Sequence, residues 1–576
     1  MASTNKQIVR RTVKNIKLKS IHHELLNHIY AARGVTDVSQ LEYSLSQLLP
    51  FDTMSGIDTA VLMLVDALKQ QQRVLIVADF DADGATSCAM MMRALKMMGA
   101  QHIDYLVPNR FSYGYGLTPE IVALALERKP DVIVTVDNGI SSVDGVAAAK
   151  QAGVNVVVTD HHLPGQTLPD ADAIVNPNQL GDEFPAKSTA GVGVAFYVML
   201  ALRAELRQQQ WFDNNAILEP NLATLLDLVA LGTVADVVPL EHNNRILVSQ
   251  GLARVRKGQC CKGIEALLRV AGRNQAQCVA SDFGFTVGPR LNAAGRLEDM
   301  SLGIECLLSD DPVRALELAQ QLDSLNKQRR EIETDMRQQA FAALDKLELG
   351  DEQPVGVCLY DETWHQGVIG ILASRVKEQL HRPVIAFAPG EETGTIKGSA
   401  RSIPGLHIRD ALDAVAATHP DLISKFGGHA MAAGLSLPVE NLPQFKQAFD
   451  KQVRQSLADE DLQGIIVSDG ELAISELNLA FAEQLRNAGP WGQGFPEPVF
   501  DGEFEIVSKK VLGDKHLKLM LRIPDSSACI DAIAFNVTDE GWASGTRLIR
   551  LAYRLDVNEF QGRKSAQLMV EQIEPI

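Results

Sequence analysis

From about residue 56 onward, short runs of β-branched residues alternate with Ala- and Leu-rich stretches whose apolar positions recur at helical spacing. The runs Arg73–Ala78, Asp131–Val136 and Val154–Thr159 are apolar on both faces, the pattern of strands covered by helices on both sides. Helical spacing over Thr86–Met98 and Ser142–Ala152 supplies the crossovers, which predicts an α/β fold with a parallel sheet. A polar-rich segment from Pro312 to Leu349 keeps apolar residues three to four apart, with no further Pro or Gly until Gly350. It predicts one long connecting helix. A second α/β region comes next, with strands at Val355–Leu359 and Val384–Phe387 around a helix at Val368–Gln379. Past Leu462 the texture changes to short alternating segments at Phe504–Val507, Leu517–Arg522, Ala532–Asn536 and Leu548–Asp556, which predict a small antiparallel β-barrel. The chain thus reads as α/β multidomain: a basic, helical segment (1–55), a parallel-sheet domain (56–311), the connecting helix (312–350), a second α/β domain (351–456) and the barrel (457–576).

Composition narrows the class. The 576 residues are 46% hydrophobic, 22% charged and 5% aromatic, with a net charge of −18, ordinary usage for folded domains. The longest nearly unbroken apolar run, Ala190–Leu202, is too short to span a bilayer, so no membrane association is predicted. Seven scattered cysteines, none in a Cys-x-x-Cys pair, predict neither a disulfide framework nor a zinc knuckle and point to the cytoplasm. The bulk acidity argues against nonspecific coating of nucleic acid but leaves room for a local basic channel.

Ligands of parallel sheets bind beyond the carboxyl ends of the strands, so the residues just past each predicted strand carry the most information about chemistry. The first strand runs into Asp79-Phe80-Asp81-Ala82-Asp83-Gly84, the second into Asp137-Asn138-Gly139 and the third into Asp160-His161-His162. Asp236 closes the apolar stretch Leu225–Val234. Taken singly, an Asp after a strand is usually a helix cap or turn residue. Massed together they repel one another unless cations neutralise them. Carboxylates joined by an imidazole suit Mn²⁺ or Mg²⁺ better than Zn²⁺. With this many donors, two divalent ions can be held, as in phosphoester hydrolysis. The run Asp81-x-Asp83-Gly84 also mimics a calcium loop, but it follows a strand and lacks that loop's final Glu.

Cationic and aromatic residues add a polymer-binding aspect. Arg110, Arg290, Asn292 and Arg296 offer side chains suited to phosphate. Gly427-Gly428-His429 reads as a loop whose amides can bind phosphate. Tyr115, with Phe111 and Tyr113, can stack on bases. In the last region Phe504, Trp542, Tyr553 and Phe560 lie among Lys509, Lys510, Lys515 and Lys518, as on the face of an oligonucleotide-binding barrel.

The segments VADFDADGATS, VPNR, TVDNGIS, VTDHH, LGTVADVVPL, GPRLNAAGR and KFGGHAMAAG resemble the DHH phosphoesterase superfamily and, more narrowly, its RecJ family of bacterial single-strand-specific exonucleases. That resemblance implies a DHH catalytic domain, a DHHA1-like substrate-binding domain and a C-terminal OB-fold. It implies that Asp79, Asp81, Asp83, Asp137, His161 and Asp236 hold two divalent metal ions, Mn²⁺ or Mg²⁺. By the same resemblance His162 contacts the scissile phosphate, Asp160 orients an imidazole, and Ser399 and Arg401 bind substrate. One departure is Ala400, where the family pattern Gly-Ser-Gly-Arg-Ser has glycine, so a positive φ there would strain the loop. The implied activity is 5′-to-3′ hydrolysis of single-stranded DNA to mononucleotides in repair and recombination, by a monomer with a single-strand-binding protein and a helicase as candidate partners. A small-molecule or oligoribonucleotide phosphodiesterase would use the same acids but has no need of residues 462–576.

Overall fold

The computed structural model describes residues 6–12, 18, 23–109, 115–347, 354–513, 516–523, 526–537, 546–560 and 562–576. Arg110, Phe111, Tyr113, Lys515 and Trp542 lie outside the described residues. The chain divides into two compact units. One comprises Lys14–Asn326 with Asn487–Glu497, the other Met1–Val13, Lys327–Arg486 and Pro498–Ile576.

The first unit is built on five parallel strands, β2 (Val74–Ala78), β3 (Ile103–Leu106), β4 (Val132–Val136), β5 (Asn155–Thr159) and β6 (Ala173–Val175), in the order β3-β2-β4-β5-β6. Every residue of β2 and β4 is buried, which is why these strands read as unbroken apolar runs. On one face Leu75, Ile133, Val156 and Val158 pack with helices Pro119–Glu127 and Val143–Gln151. Against β2 from the other side lies helix Ala82–Met97, which itself packs on helices Gly191–Gln208 and Leu226–Ala235. After β2 the chain crosses to β3 on one side, then to β4 on the other. The strand order therefore reverses between β2 and β4, and the crevice of a doubly wound sheet opens beyond the carboxyl ends of those two strands.

The long helix is Pro312–Leu347, its residues divided between the units at Asn326 and Lys327. In the second unit β7 (Val357–Tyr360), β8 (Val384–Pro389), β9 (Thr395–Arg401), β10 (Lys425–Gly428) and β11 (Ala432–Pro438) form a mixed sheet ordered β10-β11-β9-β8-β7. Only β7 and β8 run parallel. A closed barrel comes last, from β13 (Phe500–Leu512), β14 (His516–Arg522), β15 (Cys529–Phe535), β16 (Leu548–Phe560) and β17 (Arg563–Pro575). Residues 457–499, grouped with the barrel on sequence, contribute none of its strands.

The amino-terminal segment is not wholly helical as read from sequence. Helix Glu24–Ala31 is present, but Gln7–Arg10 forms strand β1, paired in parallel with β12 (Ile465–Ser468). The strand is the four residues Gln7-Ile8-Val9-Arg10, too short for a period-two pattern, and its partner lies so far along the chain that no local signal reveals it. The knot that fastens β1 is Asp501, 1% exposed. Its carboxylate accepts from Arg10 Nε and Nη2 at 2.9 Å, Ser468 Oγ at 2.6 Å and Arg550 Nη2 at 3.3 Å, joining β1, β12 and the barrel. Burial favours protonation of Asp501, but these bonds outweigh it and hold the carboxyl below its ordinary value. Asp501→Asn keeps the shape and removes the charge, so amide exchange over residues 7–10 and 465–468 should accelerate on the order of tenfold or more. Protection in β2 and β4 should stay unchanged.

Candidate metal centre

Each acid that follows a strand of the first sheet remains tied to its neighbour. Asp79 N donates to Val136 O at 3.3 Å, Asp137 N to Thr159 O at 3.0 Å and Asp160 N to Val175 O at 3.1 Å. The sheet ladder therefore extends one residue past the strands and delivers three carboxylates to one level at the crevice. Asp137 takes φ 61°, a left-handed conformation that Asp tolerates better than most residues. Asp236 arrives differently, as the C-cap of helix Leu226–Ala235, eight of whose residues are buried. The next residue, Val237, has φ 63°. For a β-branched side chain that is a true outlier, costing about 1–3 kcal/mol and persisting only where neighbours over-determine it.

Three interlocking groups have donor atoms all within 4.8 Å of one another: Asp79, Asp81 and Asp137; Asp83, His161 and Asp236; and Asp137, His161 and His162. His161 Nε2 lies 3.2 Å from Asp137 Oδ1 and 3.5 Å from Asp236 Oδ2. Asp137 Oδ1 and His161 Nε2 are both buried without a hydrogen-bond partner. Burial, then the neighbouring carboxylates, pushes Asp83 and Asp137 well above the ordinary range, and burial with Asp81 pushes Asp236 up to about 7. Burial, with His162 adding to it, lowers His161 to about 4, which leaves a neutral imidazole with a free lone pair. The crevice is thus lined with acceptors that face one another, an arrangement that a divalent cation completes. Carboxylate oxygen with one or two imidazole nitrogens is a fitting donor set for Mn²⁺ or Mg²⁺.

The donors are held from behind. Asp81 Oδ1 caps its own helix through Asp83 N at 2.9 Å and Gly84 N at 3.0 Å, so the capping role and the cluster role coexist in one carboxylate. Asp83 accepts Gly191 N on Oδ2 at 2.7 Å and Val192 N on Oδ1 at 3.0 Å, at the amino end of helix Gly191–Gln208. Asn176 Nδ2 donates to His162 O at 2.9 Å, and Asn178 Nδ2 to His161 O at 2.6 Å. Asp160 spends its oxygens on Ile140 N, His161 N, His162 N and His162 Nδ1, the last at 2.7 Å. Burial alone would lower His162, but this bond prevails and lifts it to about 9. Tyr115 Oη sits 3.2 Å from His162 Nδ1 and 3.3 Å from Asp137 O.

The glycines that make this packing feasible carry little signal in the sequence. A Cβ on Gly191 would sit 2.6 Å from Asp137 Oδ1, and one on Gly232 would sit 2.2 Å from Thr86 Oγ1 and 2.7 Å from Asp83 Oδ1. Their only signal is glycine within otherwise apolar helical runs, AGVGVAFYV and LVALGTVAD.

The residues assigned to phosphate fare unevenly. Arg290 is 9% exposed and its guanidinium is committed, with Nε and Nη2 on Asp323 Oδ1 at 2.9 and 2.8 Å and Nη1 on Thr286 O at 2.7 Å. It is an internal brace rather than a free fork. Asn292 Oδ1 accepts from Ala82 N at 2.8 Å and thus steadies the Asp79–Asp83 loop. Arg296 is half-buried in the last turn of helix Gly288–Leu297. In the second unit Gly427 and Gly428 lie in strand β10 rather than in a loop, and His429 N is spent on Ala432 O at 2.8 Å. Gly428 has φ 145°, and its Cβ would meet Ala432 O at 2.4 Å, so close hairpin pairing accounts for this glycine. Ser399 and Arg401 lie on β9, with Arg401 Nη1 donating to Ser399 Oγ at 3.0 Å and to Ala400 O at 2.8 Å. A Cβ on Gly370, in the first turn of helix Ile369–Leu380, would come within 2.9 Å of Arg401 Nη2 and 3.0 Å of Ser399 Oγ. That cluster of a guanidinium, a hydroxyl and a helix start suits an anion. Ala400 is in extended strand, fully buried, and absent from the positive-φ residues, so its methyl fills core without strain.

Two outcomes follow from the crowding. A Cβ at Gly191 forces overpacking worth about 1–3 kcal/mol, so Gly191→Ala should lower the melting temperature and weaken metal binding together, read by calorimetry with and without Mn²⁺. Asp236, lifted from the ordinary 3.8 to about 7, keeps its proton in the folded chain where the unfolded chain has lost it. Folding stability therefore falls as pH rises across that window and levels off above it. In EDTA, Asp236→Asn should stabilise the protein against urea, most at pH 8 and progressively less toward pH 5. In Mn²⁺ the order should reverse.

The description DHH family, N-terminal domain, matches residues 73–233, DHHA1 domain matches 352–455 and RecJ OB domain matches 468–572. Over 572 residues the chain is 54% identical to the single-stranded-DNA-specific exonuclease RecJ of Dickeya dadantii (strain 3937), covering 99% of each chain. With the protein of the same name from Escherichia coli (strain K12) it shares 54% identity over 554 residues, 96% of each chain. The crystal structure of RecJ in complex with Mn²⁺ from Thermus thermophilus matches with a TM-score of 0.77 at 28% identity, over 96% of this chain and 76% of that one. With near-complete coverage at 54% identity, the chain belongs to the RecJ family.

Proposed function

We propose that the protein is a single-stranded-DNA-specific exonuclease that hydrolyses phosphodiester bonds with two divalent ions, Mn²⁺ or Mg²⁺. The observation that carries this reading is the pair of buried, unpartnered acceptors, Asp137 Oδ1 and His161 Nε2, set 3.2 Å apart among four further carboxylates. When bound, divalent ions in such a site lower the pKa of water and offset charge gathering on phosphate oxygens. Asp79, Asp81, Asp83, Asp137, His161 and Asp236 hold them. Asp160 keeps His162 protonated at Nδ1, and Nε2–H, 3.3 Å from Tyr115 Oη, is the proton that turns to a phosphate oxygen. Tyr115 flanks that imidazole and limits where the phosphate can sit. Asn292 acts through the Asp79–Asp83 loop, and Arg290 through the helix that carries Asn292.

Ser399 and Arg401 supply an anion subsite, Arg110 and Arg296 are further phosphate contacts, and the barrel binds single strand in its own right. The 5′-to-3′ polarity and release of mononucleotides are carried over from the family. The domains run 56–311 for catalysis, 351–456 for substrate binding and 457–576 for the OB region, joined by 312–350. The protein works as a cytoplasmic monomer, with a single-strand-binding protein and a helicase as partners in repair and recombination. Among the described residues no helix is long and apolar enough to cross a membrane.

Digestion of one oligonucleotide labelled at either end, as single strand and as blunt duplex, tests this. With Mn²⁺, label should leave as mononucleotide from the 5′ end of the single strand only. Asp81→Ala and Asp137→Ala should each lower the rate by at least about a thousandfold while retaining DNA binding. Attack on duplex, internal cuts, or activity surviving both substitutions would refute the reading.

A further inference from the structure

We propose that residues 487–497, which follow the second α/β region in sequence, are positioning residues that fix Asp236 through its strained turn; this rests on the reading that Asp236 is a metal ligand. These eleven residues belong to the same compact unit as Lys14–Asn326, although the chain on both sides of them belongs to the other.

Asp236 N is fixed to Gly232 O at 2.9 Å, and the chain then turns at Val237 with φ 63°. A valine stays in that conformation only if the far side of the turn is pinned. Leu240 is that far side. Its N–H donates to Gln493 O at 2.7 Å, and its carbonyl accepts Arg245 Nη1 at 2.7 Å. Packing is tight along the same stretch. A Cβ on Gly492 would stand 2.6 Å from Leu240 Cδ1, and one on Gly494 would stand 3.3 Å from Pro239 Cβ.

Gln493 is held in turn by a stacked aromatic cluster. Trp491 and Phe495 stack with centroids 5.2 Å apart, and Tyr30 stacks on them at 6.2 and 6.3 Å. Arg245 lies 4.2 Å over the Phe495 ring. The ends are tied as well, with Tyr30 Oη on Ala488 O at 2.9 Å and Arg33 Nε on Pro496 O at 2.6 Å. Arg245 thus grips both the cluster and Leu240, so loosening the cluster frees the turn, and Val237 can relax and swing the Asp236 carboxylate out of register. Groups that position a ligand in this way govern metal affinity by about tenfold or more when lost.

The donor groups make the effect selective, since Asp236 belongs with Asp83 and His161, whereas Asp79, Asp81 and Asp137 form a group without it. Mn²⁺ titration of the full chain, followed by the paramagnetic resonance of free ion, with melting in EDTA as a folding check, tests this. Phe495→Leu should weaken one of two Mn²⁺ equivalents about tenfold and leave the other within about twofold. Adding Val237→Asn, which tolerates the left-handed turn, should recover most of the loss. If Phe495→Leu does not fold, Tyr30→Phe, which removes one hydrogen bond, should show the same selective weakening at about threefold. Equal weakening of both equivalents, no weakening, or no recovery by Val237→Asn would overturn the proposal. A parent chain that binds no Mn²⁺ overturns the metal assignment itself and the proposal with it.

Discussion

Like charges taken out of water and set side by side are the constraint on which the catalytic unit depends. Asp83 and Asp137 are 1% exposed and share a crevice with Asp79, Asp81 and Asp236. In a medium of low polarity such carboxylates repel strongly and drift toward their neutral forms. The unit answers chiefly with oriented peptide dipoles. The start of helix Ala82–Met97 serves Asp81 and the start of helix Gly191–Gln208 serves Asp83. Such dipoles stabilise a carboxylate without claiming all of its lone pairs, and the remaining lone pairs face inward. A neutral His161 and a protonated His162 side by side complete the division of labour, one as a donor atom and one as a fixed positive charge.

Most of the scaffold is legible in the sequence because burial on both faces leaves an unmistakable pattern. The three strands that carry the acids can be read to within a residue of their observed bounds, and the long helix from its first residue. The acids themselves are legible from their position after those strands. Their joint role cannot be read from any one of them, because Asp81 does cap a helix, as the plainest reading of a lone Asp would have it.

What sequence conceals is partnership across long separations. Arg290 and Asp323 are unremarkable alone, and only their pairing shows that the guanidinium is spent internally. Gly427 and Gly428 read as a loop because two adjacent glycines usually are one; here they sit in a hairpin whose strands approach too closely for a larger residue at the second position. Gly191 is of the same kind, a small residue demanded by an acid 54 positions earlier, as is the aromatic stretch at 487–497, whose partners lie at Tyr30, Arg33 and Arg245.

The pairing of β1 with β12 has a consequence for how the molecule is made. Residues 7–10 leave the ribosome well before Ile465–Ser468, which emerge some 450 residues later. At about 5–20 residues per second, the earlier strand waits roughly 20 to 90 seconds for its mate. Through that interval it is an unsatisfied edge, but one only four residues long, ending in Arg10 and flanked by Lys6 and Arg11, and shortness and charge keep such an edge from zippering onto neighbouring nascent chains.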